Sequence, residues 1–494
     1  MFRNLRLTIQ HLWAVTALVG VFIFVSTHPI RPQDFWWHMA VGREVLATGR
    51  IPSVDTFSYT MPGKPYPAYQ VFWLMESILY VTFRAGGGEM VIFLQSLLIT
   101  SAYGIILWLC YLETRSWRVA AFGVLFAAAL GLNDWNVRPQ AITFLLGALI
   151  LLAINRLRMS HNDKWLVIFP VAMVVWVNSH GTFPIGLALI GAWWLDSVWF
   201  LFHTHGKWEE HLLSPTIAGV VATLACMLSP QGFGIFRYIQ SMMVSPVIQN
   251  LVTEWAPPSF GTLGGTLFFI GLLLCACVMA ISPKRPSLFQ VILFVIFAVL
   301  GLKTMRGVVW FGIVMAPVVA EHVKAIADSI SHQKQNQSQE LGSPWLNRIF
   351  LFILLGMAIL SLPWFKHSLP LPSLKAGIFS NETPITATEI LLNERLPGPL
   401  FNSMSFGSYL IWEARSDYPV FIDPRIDLYP TEFILEYISV SSGGEHWQEV
   451  MDKYGIQTIM ASPTEQSGLI DILDQSTSWD QVYQDEAAVI FTRK

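Results

Sequence analysis

The sequence alternates between apolar blocks of about 17–23 residues and short polar segments, and this repetition limits what the chain can fold into. A block of this length crosses a hydrocarbon core of roughly 30 Å as a helix. Only 13% of the residues are charged, whereas a soluble protein carries roughly a quarter. The pattern predicts an all-α polytopic membrane protein with about eleven transmembrane helices, near residues 9–27, 89–111, 117–133, 141–155, 164–178, 183–202, 214–229, 264–282, 287–303, 307–323 and 348–364.

Basic residues concentrate in every second loop, which indicates an orientation. With a cytoplasmic N-terminus the inside segments contain Arg3, Arg6, Arg115, Arg118, Arg156, Arg158, Lys164, Lys207, Lys284, Arg285, Lys324, Lys334 and Arg348. Beyond the first loop, the short outside loops contain little more than Arg138, Arg237, Lys303 and Arg306. The positive-inside rule then predicts that an odd number of spans leaves the C-terminal region extracytoplasmic.

Charge and cysteine content exclude two classes of function. The net charge is −3 and no basic patch stands out, so the sequence predicts no nucleic-acid partner. The cysteines Cys110, Cys226, Cys275 and Cys277 all lie within apolar runs and form no CxxC pair. They indicate small core residues instead of a disulfide framework or a zinc site.

The first outside loop, residues 28–88, places an acid and a histidine beside paired tryptophans. We predict two interfacial helices in it, Phe35–Thr48 and Gln70–Arg84, because neither is long enough to span. Asp34 and His38 are one helical turn apart, and the tryptophans between them favour membrane-surface depth. Asp34 is also a candidate N-cap of a helix that stops at Gly49, and a cap can be catalytic, so both roles stay open.

Other unusual polar residues fall on the same predicted side of the membrane as Asp34. They are Arg138 and Gln140 in the segment NDWNVRPQ, His180 in NSHG, Glu254 before two prolines, and Arg306 at the mouth of a span. Each alone is compatible with an ordinary loop or helix end. Their agreement in side predicts one shared cavity, since unpartnered charges near lipid are costly.

The composition changes near residue 366, where short apolar strands begin to alternate with helical patterns. We predict a membrane domain over residues 1–365 and a small soluble extracytoplasmic α/β domain over 366–494. Predicted strands are Pro399–Asn402, Val420–Asp423 and Ile456–Ala461, with a hairpin over Gln481–Arg493. Asp423 and Arg425 follow a predicted strand end, where a ligand site and a structural ion pair are both possible. Asp55 is a second candidate acid or a turn residue.

The architecture resembles the GT-C superfamily of membrane glycosyltransferases. Four sequence motifs are similar to those of a group of bacterial multi-span proteins that is placed with that superfamily. They are DFWWHMAVGREVLATGRIPSVDTFSYT, WVNSHGT, SPQG and VFIDPRIDLY. The resemblance implies an acid in the first outside loop, a polyprenyl-phosphate-linked sugar donor and a bacterial inner-membrane location. The usual GT-C signature has two nearly adjacent acids, whereas here Phe35 follows Asp34.

Transfer from a lipid phosphate needs a base for the acceptor hydroxyl and positive charge for the leaving phosphate. Asp34 is the candidate catalytic base, or with His38 an anchor for Mg²⁺ or Mn²⁺. Candidate substrate-binding residues are His38, Arg138, Gln140, His180, Glu254 and Arg306, the arginines being suited to phosphate. The expected partners are membrane lipid and the polyprenyl-phosphate donor. A non-catalytic envelope scaffold and a precursor transporter are the alternatives.

The orientation is testable with reporter fusions at Lys334 and Lys494. We expect the two reporters to lie in opposite compartments, because basic residues concentrate around the first position and not around the proposed site. Reporters in the same compartment would contradict the topology and separate the residues of the predicted site.

Overall fold

The computed structural model of the protein describes residues 7–160, 162–204, 211–330 and 342–494. The first part of the chain is helical: α1 Ile9–Ser26, α2 Phe35–Thr48, α3 Tyr69–Thr114, α4 Trp117–Gly131, α5 Ala141–Ser160, α6 Ile168–Val177, α7 Pro184–Thr204, α8 Leu213–Cys226, α9 Gly234–Val244, α10 Pro246–Leu251, α11 Leu263–Ile281, α12 Leu288–Lys303, α13 Met305–Ile330 and α14 Pro344–Leu360. The basic residues Arg3, Arg6, Lys207 and Lys334 lie outside the described residues.

Each predicted apolar block overlaps one of these helices. Within the described ranges, six helices are long and apolar enough to cross a membrane, namely α1, α3, α5, α7, α11 and α13, while α8, α12 and α14 are shorter apolar helices. Apolar side chains of these helices other than α14 pack into one large core. The prediction of an all-α polytopic membrane fold is confirmed.

The second loop helix and the next span are two helices that meet at a kink, as the sequence predicts, and together they make up α3. Helix α3 runs through the predicted interfacial helix Gln70–Arg84 and breaks only at Gly86 and Gly87, whose φ angles are −167° and 67°. A Cβ atom on Gly88 would lie 2.5 Å from a side-chain carbon of Ile378. The break therefore lies where residues near 378 pack against the helix, a contact that the local pattern does not encode.

Helix α2 has the bounds that the sequence predicts and packs closely on α3. Gly49 follows it with φ of 67°, a left-handed conformation that favours glycine, and its N–H donates to the Val45 carbonyl. A Cβ atom on Gly42 would lie 2.2 Å from the Glu76 carbonyl oxygen, so only glycine permits this approach. The contact fixes α2, and with it Asp34, relative to the first half of α3.

The C-terminal region is a small α/β layer. Its helices are α15 Ser373–Ala376, α16 Ile385–Asn393, α17 Met404–Glu413, α18 Thr431–Ser441, α19 Trp447–Lys453 and α20 Ser467–Asp474, and its strands are β1 Leu400–Asn402, β2 Thr458–Ala461, β3 Trp479–Gln484 and β4 Val489–Arg493. The sheet order is β1-β2-β4-β3, with β1 and β2 parallel and the other pairs antiparallel. The predicted hairpin is present as the antiparallel pair β3–β4. In its turn Asp485 Oδ1 accepts hydrogen bonds from the N–H groups of Ala487 and Ala488.

The predicted strand Val420–Asp423 is wrong, since this segment does not join the sheet. It instead lies along the first loop, where the Val420 N–H donates to the Phe57 carbonyl at 3.1 Å and the Tyr59 N–H donates to the Val420 carbonyl at 3.2 Å. The Asn402 side chain accepts from the Phe421 N–H at 2.9 Å. A short apolar run satisfies its backbone groups with whatever neighbour the tertiary structure supplies.

The C-terminal region and the first loop share one apolar core. It contains Trp37 and Val41 of α2 and Tyr69 of α3 together with Phe401 and Phe421. Residues 366–494 as an independently folding domain stay a prediction, and in the full chain that region rests directly on the loop that carries Asp34.

The close approach of α2 to α3 generates a stability prediction. Gly42→Ala should lower the free energy of unfolding by about 1–3 kcal/mol, because the added methyl group overlaps backbone atoms of Glu76. The matched control is Gly104→Ala in α3, where a Cβ atom meets nothing within 4 Å. Thermal unfolding in detergent measures both, and equal melting temperatures for the two variants would contradict the proposed packing.

Candidate functional site

Asp34 occupies the N-cap position of α2, but its carboxylate does not cap the helix. The N–H of Trp37, a donor of the first helical turn, is instead bound by Ser408 Oγ of α17 at 2.9 Å. Asp34 Oδ1 lies 3.5 Å from the indole Nε1 of Trp37 and Oδ2 lies 3.1 Å from Arg138 Nε. The interpretation of the Asp34 side chain as a helix cap is therefore wrong, and the carboxylate is available for other contacts.

A chain of alternating charges connects Asp34 to three of the other predicted residues. Arg138 binds both Asp34 and Glu254 Oε1. Glu254 Oε2 then accepts from Arg306 through Nη2 at 2.6 Å and Nε at 2.8 Å. We call Asp34, Arg138, Glu254 and Arg306 the ion-pair chain.

The ion-pair chain joins four separate parts of the sequence at one end of the helix bundle. These are the start of α2, the segment between α4 and α5, the 3₁₀ turn Thr253–Trp255 and the first turn of α13. Its side chains are between 18% and 29% exposed, so the four charged groups are partly accessible from outside the protein. The Arg306 guanidinium also lies 5.8 Å from the ring centroid of Trp255.

The electrostatics of the ion-pair chain stabilise its charged state. Burial opposes ionisation of Glu254, but the guanidinium groups of Arg306 and Arg138 outweigh burial and lower the pKa of Glu254 to about 2. Burial also opposes the charge on Arg138, yet Asp34 and Glu254 raise its pKa above the usual value. Glu254 thus acts as a bridge that holds two arginines and not as a proton acceptor.

Asp134 lies beside the ion-pair chain and has a different proton affinity. Gln140, one of the predicted residues, donates through Nε2 to the Asp134 carbonyl at 3.3 Å and to Oδ1 at 3.4 Å. Burial, and next the charge of Glu254, raise the pKa of Asp134 to about 7. Gln140 therefore orients a carboxyl group that titrates near neutral pH.

The two predicted histidines flank Phe72, whose ring centroid lies 5.3 Å from that of His38 and 5.4 Å from that of His180. His38 Nδ1 lies 2.7 Å from Glu76 Oε1 inside the protein. Burial, and then the charges of His180 and Arg138, lower the pKa of His38 well below its usual value. Both histidines are thus placed near the ion-pair chain as uncharged rings.

The turn that carries His180 is held from several sides. His180 Nδ1 accepts from the Thr182 N–H at 3.2 Å, which leaves the ring proton on Nε2. Burial and the charge of Arg306 lower the pKa of His180 to about 3. Asn178 Oδ1 accepts from the Trp73 indole at 2.8 Å, and this bond ties the turn to α3.

Within the described ranges, no three His, Cys, Asp or Glu side chains are grouped so as to hold a metal ion. Asp34 contacts Arg138 and His38 contacts Glu76, so the predicted metal pair is engaged elsewhere. A divalent cation at Asp34 stays a prediction, and it would need ligands from a substrate.

Asp423 and Arg425 form the structural ion pair and not a ligand site. Arg425 is 1% exposed, and its guanidinium lies 2.6 Å from Asp423 Oδ2 and 2.7 Å from Asp55 Oδ1. Asp55 also accepts from the N–H groups of Phe57 and Ser58, so it serves its predicted turn as well.

Three contributors to the site did not stand out in the sequence. Asp134 lies in the same polar segment as Arg138, but an aspartate that follows an asparagine is typical of a turn. Glu76 interrupts the apolar face of α3 between Met75 and Leu79, which is a usable signal for a buried polar contact. Ser408 carries no local signal, because its role depends on how α17 docks against α2.

No protein-family model and no curated protein sequence matches this chain. Solved structures do. The oligosaccharyltransferase AglB from Archaeoglobus fulgidus, in complex with an inhibitory peptide and a dolichol-phosphate, is 12% identical with a TM-score of 0.55 over 98% of this chain and 74% of that chain. ArnT from Cupriavidus metallidurans bound to undecaprenyl phosphate is 15% identical with a TM-score of 0.50 over 97% of both chains.

The chain has the same overall fold as these two proteins, the GT-C fold. The AglB structure tethered to an acceptor peptide agrees, at 13% identity and a TM-score of 0.56 over 98% of this chain and 74% of that chain. Because the identities are low, these similarities establish the fold, and the chemistry has to be argued from the site itself.

The proton affinity of Asp134 predicts a pH-dependent stability. With its pKa at about 7, the folded protein keeps the Asp134 proton above about pH 4, where the unfolded chain releases it. The folded state thus binds more protons between about pH 4 and 7, and the free energy of unfolding falls as pH rises through this window. Asp134→Asn removes this contribution.

The melting temperature of Asp134→Asn minus that of the wild type should therefore increase from pH 5 to pH 7 and become level above it. The control is Asp417→Asn, which removes an exposed carboxylate of the C-terminal region. A constant difference for Asp134→Asn would contradict the raised pKa.

Proposed function

We propose that this protein is a membrane glycosyltransferase that transfers a sugar from a polyprenyl-phosphate-linked donor to an extracytoplasmic acceptor. The GT-C fold supports the general class. The observation that carries the proposal is the Asp34 carboxylate, which lies at the start of α2, is released from helix capping and is held by Arg138 in a partly exposed recess.

Asp34 is the proposed general base. The acceptor hydroxyl oxygen attacks the anomeric carbon of the donor, and its proton passes to Asp34. The bond from that carbon to the phosphate oxygen breaks, and its electron pair leaves with the lipid phosphate. Arg138 fixes the direction of the carboxylate, so that the base is positioned before the acceptor arrives.

The remaining residues of the site bind and orient in this proposal. The guanidinium groups of Arg138 and Arg306 stabilise negative charge on the leaving phosphate, and Glu254 keeps them together. The uncharged rings of His38 and His180 offer hydrogen bonds to sugar hydroxyls without adding charge. Gln140 belongs to the same recess through Asp134.

The proposed setting is a bacterial inner membrane, with a cytoplasmic N-terminus and the ion-pair chain at the extracytoplasmic end. A Mg²⁺ or Mn²⁺ ion is a second use of Asp34, since carboxylate and phosphate oxygens together suit a hard cation. No step above depends on such an ion. The position of the charges at one end of the bundle disfavours a transporter, whose substrate site lies near mid-membrane between broken helices.

Asp34→Asn tests the catalytic role. The amide keeps the shape of the side chain but cannot accept the acceptor proton, so sugar transfer should fall by a factor of roughly 10² to 10⁴. The assay follows radiolabelled undecaprenyl-phosphate-linked sugars in membranes that contain folded protein. Asp417→Asn is the control, since it removes a carboxylate that is exposed.

Unchanged transfer by Asp34→Asn would contradict a catalytic Asp34 while leaving the enzyme class intact. If the wild type consumes none of the lipid-linked sugars offered, glycosyl transfer itself is wrong and a non-catalytic envelope scaffold becomes the better proposal.

A further inference from the structure

A second group of charged side chains lies at the same end of the bundle, and all of its members are basic. His28 and Arg31 follow α1, and Lys366 and Lys375 lie between α14 and the C-terminal sheet. We call these four residues the basic cluster. They are far apart in the sequence, so their meeting is a property of the fold.

Backbone bonds bring the two segments of the basic cluster together. The Ile30 N–H donates to the Ile378 carbonyl and the Ser380 N–H donates to the Ile30 carbonyl, both at 2.8 Å. The Lys375 ammonium lies 5.1 Å from the ring centroid of Phe24, and the His28 ring lies 4.5 Å from the same centroid. The four side chains therefore share one neighbourhood around the end of α1.

The basic cluster has no counter-charge among the described residues. No ion pair there involves Arg31, Lys366 or Lys375, whereas both arginines of the ion-pair chain are bound by carboxylates. The charge of the ion-pair chain is thus already balanced. The excess of positive charge at this end of the protein lies in the basic cluster.

Lys366 is the most constrained member. Its side chain is 1% exposed, and its ammonium donates to the Gly377 carbonyl at 2.7 Å. Burial, and next the charge of Lys375, lower the pKa of Lys366 to about 8. A buried ammonium near a second ammonium is unfavourable, and either loss of its proton or an accompanying anion relieves the cost.

The surroundings place the basic cluster at the depth of lipid headgroups. Trp364 and Phe365 are 39% and 44% exposed next to Lys366, as aromatic residues at a membrane interface are. The preceding helix α14 presents apolar side chains such as Phe352, which is 72% exposed and suited to acyl chains. The phosphate of a lipid headgroup would lie at this depth.

We propose that the basic cluster binds the phosphate of a membrane lipid headgroup. Phosphate oxygens accept several charge-assisted hydrogen bonds, and ammonium and guanidinium groups are their usual partners in proteins. The proposal does not rest on glycosyl transfer. Two lipids supply this chemistry, a bulk anionic phospholipid and a polyprenyl phosphate, and binding measurements can distinguish them.

The experiment measures binding of undecaprenyl phosphate and of phosphatidylglycerol to the purified full chain in detergent micelles, with diacylglycerol as the phosphate-free reference. Arg31→Gln, Lys375→Gln and Lys366→Gln each remove one positive charge, and the glutamine at 366 retains a donor for the Gly377 carbonyl. Arg50→Gln is the control, because Arg50 is an exposed basic residue of the same loop. Each cluster variant should weaken binding about fivefold, the effect of one basic side chain at an anionic lipid surface.

If the cluster variants lose affinity for undecaprenyl phosphate alone, the site is one for the polyprenyl carrier. If they lose affinity for both lipids, the site is a general one for phospholipid headgroups. Equal affinities of wild type and cluster variants, or an equal loss in Arg50→Gln, would overturn the proposal. The catalytic proposal is tested by sugar transfer in Asp34→Asn and this one by lipid binding in the cluster variants, so a failure of one is separable from a failure of the other.

Discussion

The Arg425 guanidinium is the junction on which the geometry of the site depends. It is enclosed between Asp423 of the C-terminal region and Asp55 of the first loop, and none of these three charged side chains has exposed surface. Removing one member of such a group leaves an uncompensated buried charge, which is far more costly than losing a surface pair. The loop around Asp55 leads into α3, and α3 fixes α2 through Gly42. The position of Asp34 therefore follows from a contact that contains none of the residues with a role in the proposed reaction.

Charge balance separates the two polar groups at this end of the bundle. In the ion-pair chain two carboxylates match two guanidinium groups, and each arginine is held by oxygen atoms that an incoming phosphate resembles. An anionic substrate that binds these arginines must compete with Asp34 and Glu254 for the same N–H groups. The basic cluster lacks such internal partners, so it attracts an anion from outside the protein. The charge-balanced ion-pair chain therefore suits catalysis, and the basic cluster suits the binding of an anion.

Local sequence patterns predicted most helices and strands, and the predicted transmembrane topology placed the charged residues of the site on one side of the membrane. Helix α2 was predictable to the residue because Gly49 adopts the left-handed conformation that ends a helix. Arg138, Glu254 and Arg306 were predictable as neighbours of Asp34 because topology places their segments on one side. The partner of Val420–Asp423 was not predictable, since an apolar run of that length is compatible both with a sheet strand and with pairing to a loop. Tertiary contacts decided that it pairs with the first loop. The pairing of His38 with Glu76 likewise depends on the approach of two helices.

The contact between Ser408 and α2 shows how the C-terminal region takes part in the site without contributing a charge. A side chain that caps a helix stabilises it by about 1 kcal/mol, and a partly exposed ion pair contributes about as much or less. Asp34 is thus close to balanced between capping α2 and pairing with Arg138. Ser408 satisfies the Trp37 N–H and removes that competition. The carboxylate then turns to Arg138, so the docking of α17 decides whether Asp34 is a structural residue or a candidate base.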